Sequence, residues 1–195
     1  MLLYPVEDVN IHSGTPTDRR DINPMYIQRY SGDSYRVLMT FVIPPNPGNQ
    51  QIDSLKLSIV RSGEFGTSPQ IEVRKISQSG FDINNCSWVK YNATSNWNVA
   101  GGDFGNVLNK KTTVVGTNSF FLLGGDEIES ISVAWGETIS LILKYENDIS
   151  APASNWFGLY ASEQAGVSND PVLELLHSDI PVIEPQNGAN FFPFF

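Results

Sequence analysis

Apolar residues alternate with polar ones at a period of two in segment after segment of this chain, and that pattern constrains the fold more than any other feature. In "YRVLMTFVI" (35–43), Tyr35, Val37, Met39, Phe41 and Ile43 share one face. The other face carries Arg36, Leu38, Thr40 and Val42, so it too is largely apolar, as expected of a central strand. "PPNPGNQQ" (44–51) ends the strand, because proline cannot donate to a ladder and Pro-Gly turns the chain. The same period recurs in "IDSLKLSIV" (52–60), "QIEVRKI" (70–76) and "TISLILKY" (138–145). "KTTVV", "SFFLL", "SISVAW", "NWFGLYAS" and "PVLELL" complete roughly eight to ten short strands separated by turn signals. The expected fold is all-β, an antiparallel β-sandwich or jelly roll. Helix is confined to at most one turn near 125–131.

With 195 residues, a single domain buries roughly 70% of the surface of its unfolded chain and needs no cross-link. Cys86 is the only cysteine. That excludes an intramolecular disulfide and argues against a structural zinc site. Residues 1–177 read as the sandwich. After "PVLELLH" the pattern dissolves into "SDIPVIEPQNGANFFPFF", and 178–195 reads as an aromatic tail. Phe191, Phe192, Phe194 and Phe195 are its expected partner-docking residues, since such a surface left bare invites aggregation.

Twelve basic against 21 acidic residues give a formal charge of −9, which repels phosphate backbones and argues against nucleic acid. No apolar run approaches the ~20 residues of a membrane helix. The opening "MLLYPVEDVNIHSG" lacks the charged and apolar regions of a signal peptide and reads as an unprocessed start.

Motifs for catalysis are sparse. His12 and His177 stand near opposite ends of the sequence, outside any metal-ligand spacing. No nucleophile elbow, phosphate loop or dinucleotide fingerprint is present. Asp103, Asp126, Glu127, Glu129 and Glu163 could pair as glycosidase carboxylates do, though solvated surface is the ordinary fate of such residues. "GGDEIE" (124–129) reads as a solvated acidic turn; it could hold a structural calcium through oxygen ligands, but lacks the order of an EF-hand loop. No cofactor is expected.

"CSWVKYNATSNWNVAGGDFG" concentrates aromatic surface in one loop. Trp88 reads as buried. Two readings stay open for Trp97: a plug at the end of the sandwich, its N–H on a carbonyl, or an exposed ring that stacks on sugars with Tyr91. In the second, Asn92, Asn96 or Asp103 would bond hydroxyls, giving Tyr91, Asn92, Trp97 and Asp103 as candidate ligand-binding residues.

Three blocks resemble the disaggregatase-related (DNRLRE) family, whose domains are similar to carbohydrate-binding jelly rolls. "SYRVLMTFVIPPNPGNQQIDSLKLSIV" (34–60) is similar to its opening strands. "ISQSGFDINNCSWVKYNATSNWNVAGGDFG" (76–105) is similar to its signature of Ser/Thr-Trp, loop, second Trp and Gly-Gly-Asp. "WFGLYASEQAGVSNDPVLELLH" (156–177) is similar to its ending. The resemblance implies a jelly roll with glycan-binding relatives, some of them parts of polysaccharide-degrading enzymes whose catalytic domain is usually separate; nothing in this chain supplies such a domain, and a non-enzymatic protein is expected. With the unprocessed start and the aromatic tail, the expectation is a structural or adhesive protein on the surface of a virus particle: a capsid decoration, fibre or tail component. Its expected partners are other virion or surface proteins in a multi-copy or homo-oligomeric assembly. The alternative is an extracellular polysaccharide-binding module.

Overall fold

The structure, a computed structural model, describes residues 1–30, 32–65, 70–146, 148, 155–162 and 168–181. Its strands are β1 (Leu2–Leu3), β2 (Glu7–His12), β3 (Arg19–Arg20), β4 (Met25–Tyr30), β5 (Asp33–Val42) and β6 (Gln50–Phe65). They continue with β7 (Gln70–Ile76), β8 (Phe104–Thr112), β9 (Thr117–Leu123), β10 (Thr138–Tyr145), β11 (Asn155–Leu159) and β12 (Val172–Asp179). Pairing is antiparallel wherever these strands meet. The fold is an all-β sandwich made by one curled sheet, as the alternation requires.

One layer contains β1, β12, β6 and β9; the other contains β8, β7, β10, β5, β2 and β3. The long β6 joins them. Its first part pairs with β12 and β9, and its last residues, Arg61 to Phe65, pair with β11, which leads through β4 back to β5. Between the layers lie Val37, Met39 and Phe41 of β5, Leu55, Leu57 and Ile59 of β6, and Ile139, Leu141 and Leu143 of β10, all 0% exposed. These are the inward positions read from the sequence.

The opposite face of β5 and β10 is buried as well. Val9, Leu38, Ile142 and Arg74 stand in register across β2, β5, β10 and β7. Over this row lies the segment 77–103, which contributes Ile83, Cys86 and Trp97 to a second apolar cluster with Val9, Ile11, Leu38, Ile76 and Ile142. The molecule therefore has a sandwich interior and, behind one layer, a loop-covered core.

Several local expectations change. No helix forms at 125–131. There the Glu127 carboxylate accepts from the Gly124 and Gly125 N–H groups and fixes a turn. The short 3-10 helix is instead Ile83–Asn85, capped by the Asp82 side chain. "SISVAW" makes no strand, although Ile131 is buried and Val133 and Trp135 pack beside it. β8 stops at Thr112, and the two valines after it are exposed because the Asn118 side chain bonds the backbone of Val114 and turns the chain. β12 runs two residues past 177, since Gln51 and Gln50 extend β6 to meet Ser178 and Asp179. The docking residues Phe191, Phe192, Phe194 and Phe195 lie outside the described residues.

Candidate functional site

The segment 77–103 is held by apolar anchors below and by side-chain caps on its turns. Trp97 is the deepest anchor: 6% exposed, with its indole N–H donating to the Ser87 carbonyl at 2.9 Å. Phe81 stacks on it at 5.7 Å and Tyr91 leans against it at 5.7 Å. Trp97 is buried, as the first of its two readings has it, but under the loop on the outer face of one layer rather than at the end of the sandwich. Trp88, expected inside, is only half-buried; its ring lies 4.6 Å from the Arg36 guanidinium.

The polar candidates hold the loop. Asn92 Oδ1 accepts from the Thr94 and Ser95 N–H groups at 2.9 and 2.8 Å. Asp103 accepts from the backbone N–H groups of Asn98 and Val99 and from the Asn98 amide, at 2.8 to 2.9 Å. The structure thus brings Tyr91 and Trp97 into contact, sets Asn92 in an outer bend and puts Asp103 at the base of the final turn.

Under the loop lies a feature that sequence reasoning passed over. Arg36 donates from Nε to Asp148 Oδ2 at 2.6 Å and from Nη1 to the Gly101 carbonyl at 2.6 Å. Lys144 Nζ lies 3.3 Å from Glu72 Oε2 and 3.9 Å from Asp148 Oδ1, and Arg74 Nε donates to Glu72 at 2.9 Å. Phe104 lies beside Arg36, Arg74 and Lys144, with cation-to-centroid distances of 5.5, 5.1 and 5.9 Å. Buried charges persist only when paired and hydrogen-bonded, and these are. Desolvation lowers the Lys144 pKa against the raising pull of Asp148 and Glu72. Gly101 adopts φ +92°, and a Cβ there would lie 2.5 Å from Arg36 Nη1, so the close approach of loop and cation needs glycine. The available signal was Arg36 itself, a cation on an otherwise apolar strand face.

Three depressions meet at the end of β7, around Lys75, Ile76 and Ser77. One, about 260 Å³, lies against Asn106, Glu129, Ser130 and Ser132. A second, about 310 Å³, is walled by Asn98, Val99, Asp103 and Phe104 and shares Ser77 with the first. The third, about 210 Å³, has Gln78, Phe81, Thr138 and Ser140. The second falls at the small end of the roughly 300–1,000 Å³ range of ligand pockets and the other two below it, the scale of a single small ring. Lys75 is engaged, with Nζ 2.8 Å from Glu137 Oε1 and 3.1 Å from the Ser132 carbonyl. A ligand would therefore meet amides and hydroxyls set among apolar surface.

The remaining sequence candidates scatter. His12 is buried against Tyr35, with ring centroids 3.8 Å apart, and its pKa is lowered mainly by desolvation. His177 packs edge-on against Trp135. Asp126 pairs with Lys111 at 3.0 Å, and Glu127 caps its own turn. Glu163 lies outside the described residues. Among the described residues, no group of three or more His, Cys, Asp or Glu side chains is placed to hold a metal, and no helix is long and apolar enough to cross a membrane.

Compared with known proteins, the chain matches no family model and no curated relative. What it does is therefore inferred from its own geometry.

Proposed function

We propose that this chain is a non-enzymatic adhesive protein that binds polysaccharide in the depressions around Lys75–Ser77. The observation that carries the reading is the wall of the depression beside Ser77 and Phe104. Asn98, Val99 and Asp103 belong to a loop clamped from beneath by Arg36 and closed by Asp103 itself, so their positions are set before a ligand arrives. Preorganised amides and hydroxyls beside Phe81 and Phe104 suit a sugar, with hydroxyls to hydrogen-bond and an apolar face to cover. Of the carboxylates at these depressions, Asp103 closes its own turn and Glu129 lines one wall; two more lie under the loop. Glu72 is held between Arg74 and Lys144, and Asp148 by Arg36. Displayed in many copies, on a virus particle or outside a cell, such shallow sites would gain strength by avidity.

The test is affinity electrophoresis of the full chain through gels containing soluble polysaccharides, compared with the double variant Asn98→Ala/Asn106→Ala. Native protein is expected to be retarded in at least one gel and the variant to lose that retardation with its circular dichroism unchanged. Release of reducing ends by the native protein, or equal retardation of both proteins, would overturn the proposal.

A further inference from the structure

Three charged side chains of the buried network lie within reach of one another and play no part in the proposed binding. Lys144, on the outer face of β10, stands in register with Glu72 of β7. Its Nζ lies 3.3 Å from Glu72 Oε2 and 3.9 Å from Asp148 Oδ1, and all three side chains are 7% exposed or less. The Tyr145 and Glu146 carbonyls accept from the same nitrogen at 2.6 and 3.4 Å, which fixes it at the end of the strand.

The two carboxylates are placed differently. Glu72 hydrogen-bonds the nitrogen, as a group that takes its proton must. Asp148, at 3.9 Å, is beyond hydrogen-bond distance yet close by, the relation an electrophilic carboxyl needs. Its other oxygen, Oδ2, accepts from Arg36 Nε at 2.6 Å, a donor aimed where negative charge would develop on attack at Cγ. The Phe104 ring, 5.9 Å from Nζ, adds apolar surface beside the group. Desolvation lowers the Lys144 pKa and so favours the uncharged amine, the nucleophilic form.

We propose that Lys144 Nζ and Asp148 Cγ join in an intramolecular amide bond, with Glu72 carrying the protons and Arg36 holding the attacked carboxyl. The ammonium passes one proton through Glu72 to Asp148 Oδ1, leaving an amine and an uncharged acid. The nitrogen lone pair then forms the N–C bond to Cγ, and the C=O π pair moves onto Oδ2 against Arg36. A second nitrogen proton travels through Glu72 to Oδ1. The Cγ–Oδ1 bond breaks, C=O re-forms at Oδ2, and one water leaves. Glu72 ends as it began, and no oxidant or other co-reactant is consumed. Burial favours the product, because a charged pair that is costly to desolvate becomes a neutral amide. The bond ties Asp148, and with it the Arg36 clamp, to the end of β10.

Intact-mass spectrometry of the full chain in denaturant tests the bond. The native chain is expected about 18 Da, one water, below its sequence mass. Trypsin should leave the peptide bond after Lys144 uncut, because the amide removes the cation that trypsin recognises. Glu146 lies between the joined residues. Cleavage there should leave the Lys144 and Asp148 fragments covalently linked, which a dehydrated aspartate elsewhere in the chain does not produce. Glu72→Gln and Lys144→Arg should each show their full sequence mass. A native chain at full sequence mass overturns the proposal. So does a water loss that leaves those fragments separate, a link through Glu72, or a link that forms unchanged in Glu72→Gln. Should Glu72→Gln fail to fold, the native mass and the cleavage at Glu146 decide alone.

Discussion

Strands β5 and β10 bury both faces, and the two faces are built on different principles. Between the layers, Phe41, Leu57, Leu141 and their neighbours form a wholly apolar interior. Behind the sheet, Leu38 and Ile142 share the space with Arg36, Glu72 and Lys144, each 6% exposed or less, and the cover is a loop rather than a second sheet. An apolar interior gains from every methylene it removes from water, about 25 cal/mol per Å². The ionic face gains little net from its charges, because desolvation offsets their attraction. What it supplies is position: the Arg36 guanidinium can satisfy Asp148, Gly101 and the Trp88 ring together in only one arrangement of the loop. The interior sets the stability of this protein, and the ionic face sets the shape of the loop that covers it.

Three measurements test that contrast. The largest effect is expected for Phe41→Ala, which opens a cavity in the interior and should cost about 3–5 kcal/mol in urea unfolding. Loop and sheet should then melt together. Arg36→Ala should cost about 3 kcal/mol, since it strands the Asp148 carboxylate in a buried site. It should also accelerate iodoacetamide labelling of Cys86 under native conditions by more than that loss of global stability explains. Labelling that merely tracks global unfolding would show that the loop has no independent latch.

The smallest effect concerns pH. Burial pushes the Cys86 thiol from 9.0 up to about 12. The folded state then holds this proton while the unfolded chain gives it up, so stability falls as pH rises above 9. Between pH 8 and pH 10 the loss due to this thiol should be about 1.4 kcal/mol, and Cys86→Ala should lack it. Equal alkaline slopes in the two proteins would place the thiol in contact with water.

The strands that sequence reading located best are those with strict alternation. β7 and β10 begin and end where "QIEVRKI" and "TISLILKY" do. β2 and β4 escaped notice because their inward positions are partly polar; Asn10 is fully buried yet bonds the Tyr26 backbone with its amide. The tryptophan loop was legible as unusual but not as a lid. Trp97, the more buried of its two indoles, looks no different in sequence from Trp88. The outward place of Trp156 followed from the alternation through Phe157 and Leu159.

The sequence by itself determined which residues point together along each strand, because side-chain direction in extended chain depends only on the nearest neighbours. Only the tertiary structure decided which strand lies beside which, that 77–103 folds back on the outer face, and that Arg36 meets Asp148 across 112 positions. Those choices rest on contacts between distant segments, where the free energy of many weak interactions is shared and no local pattern records it.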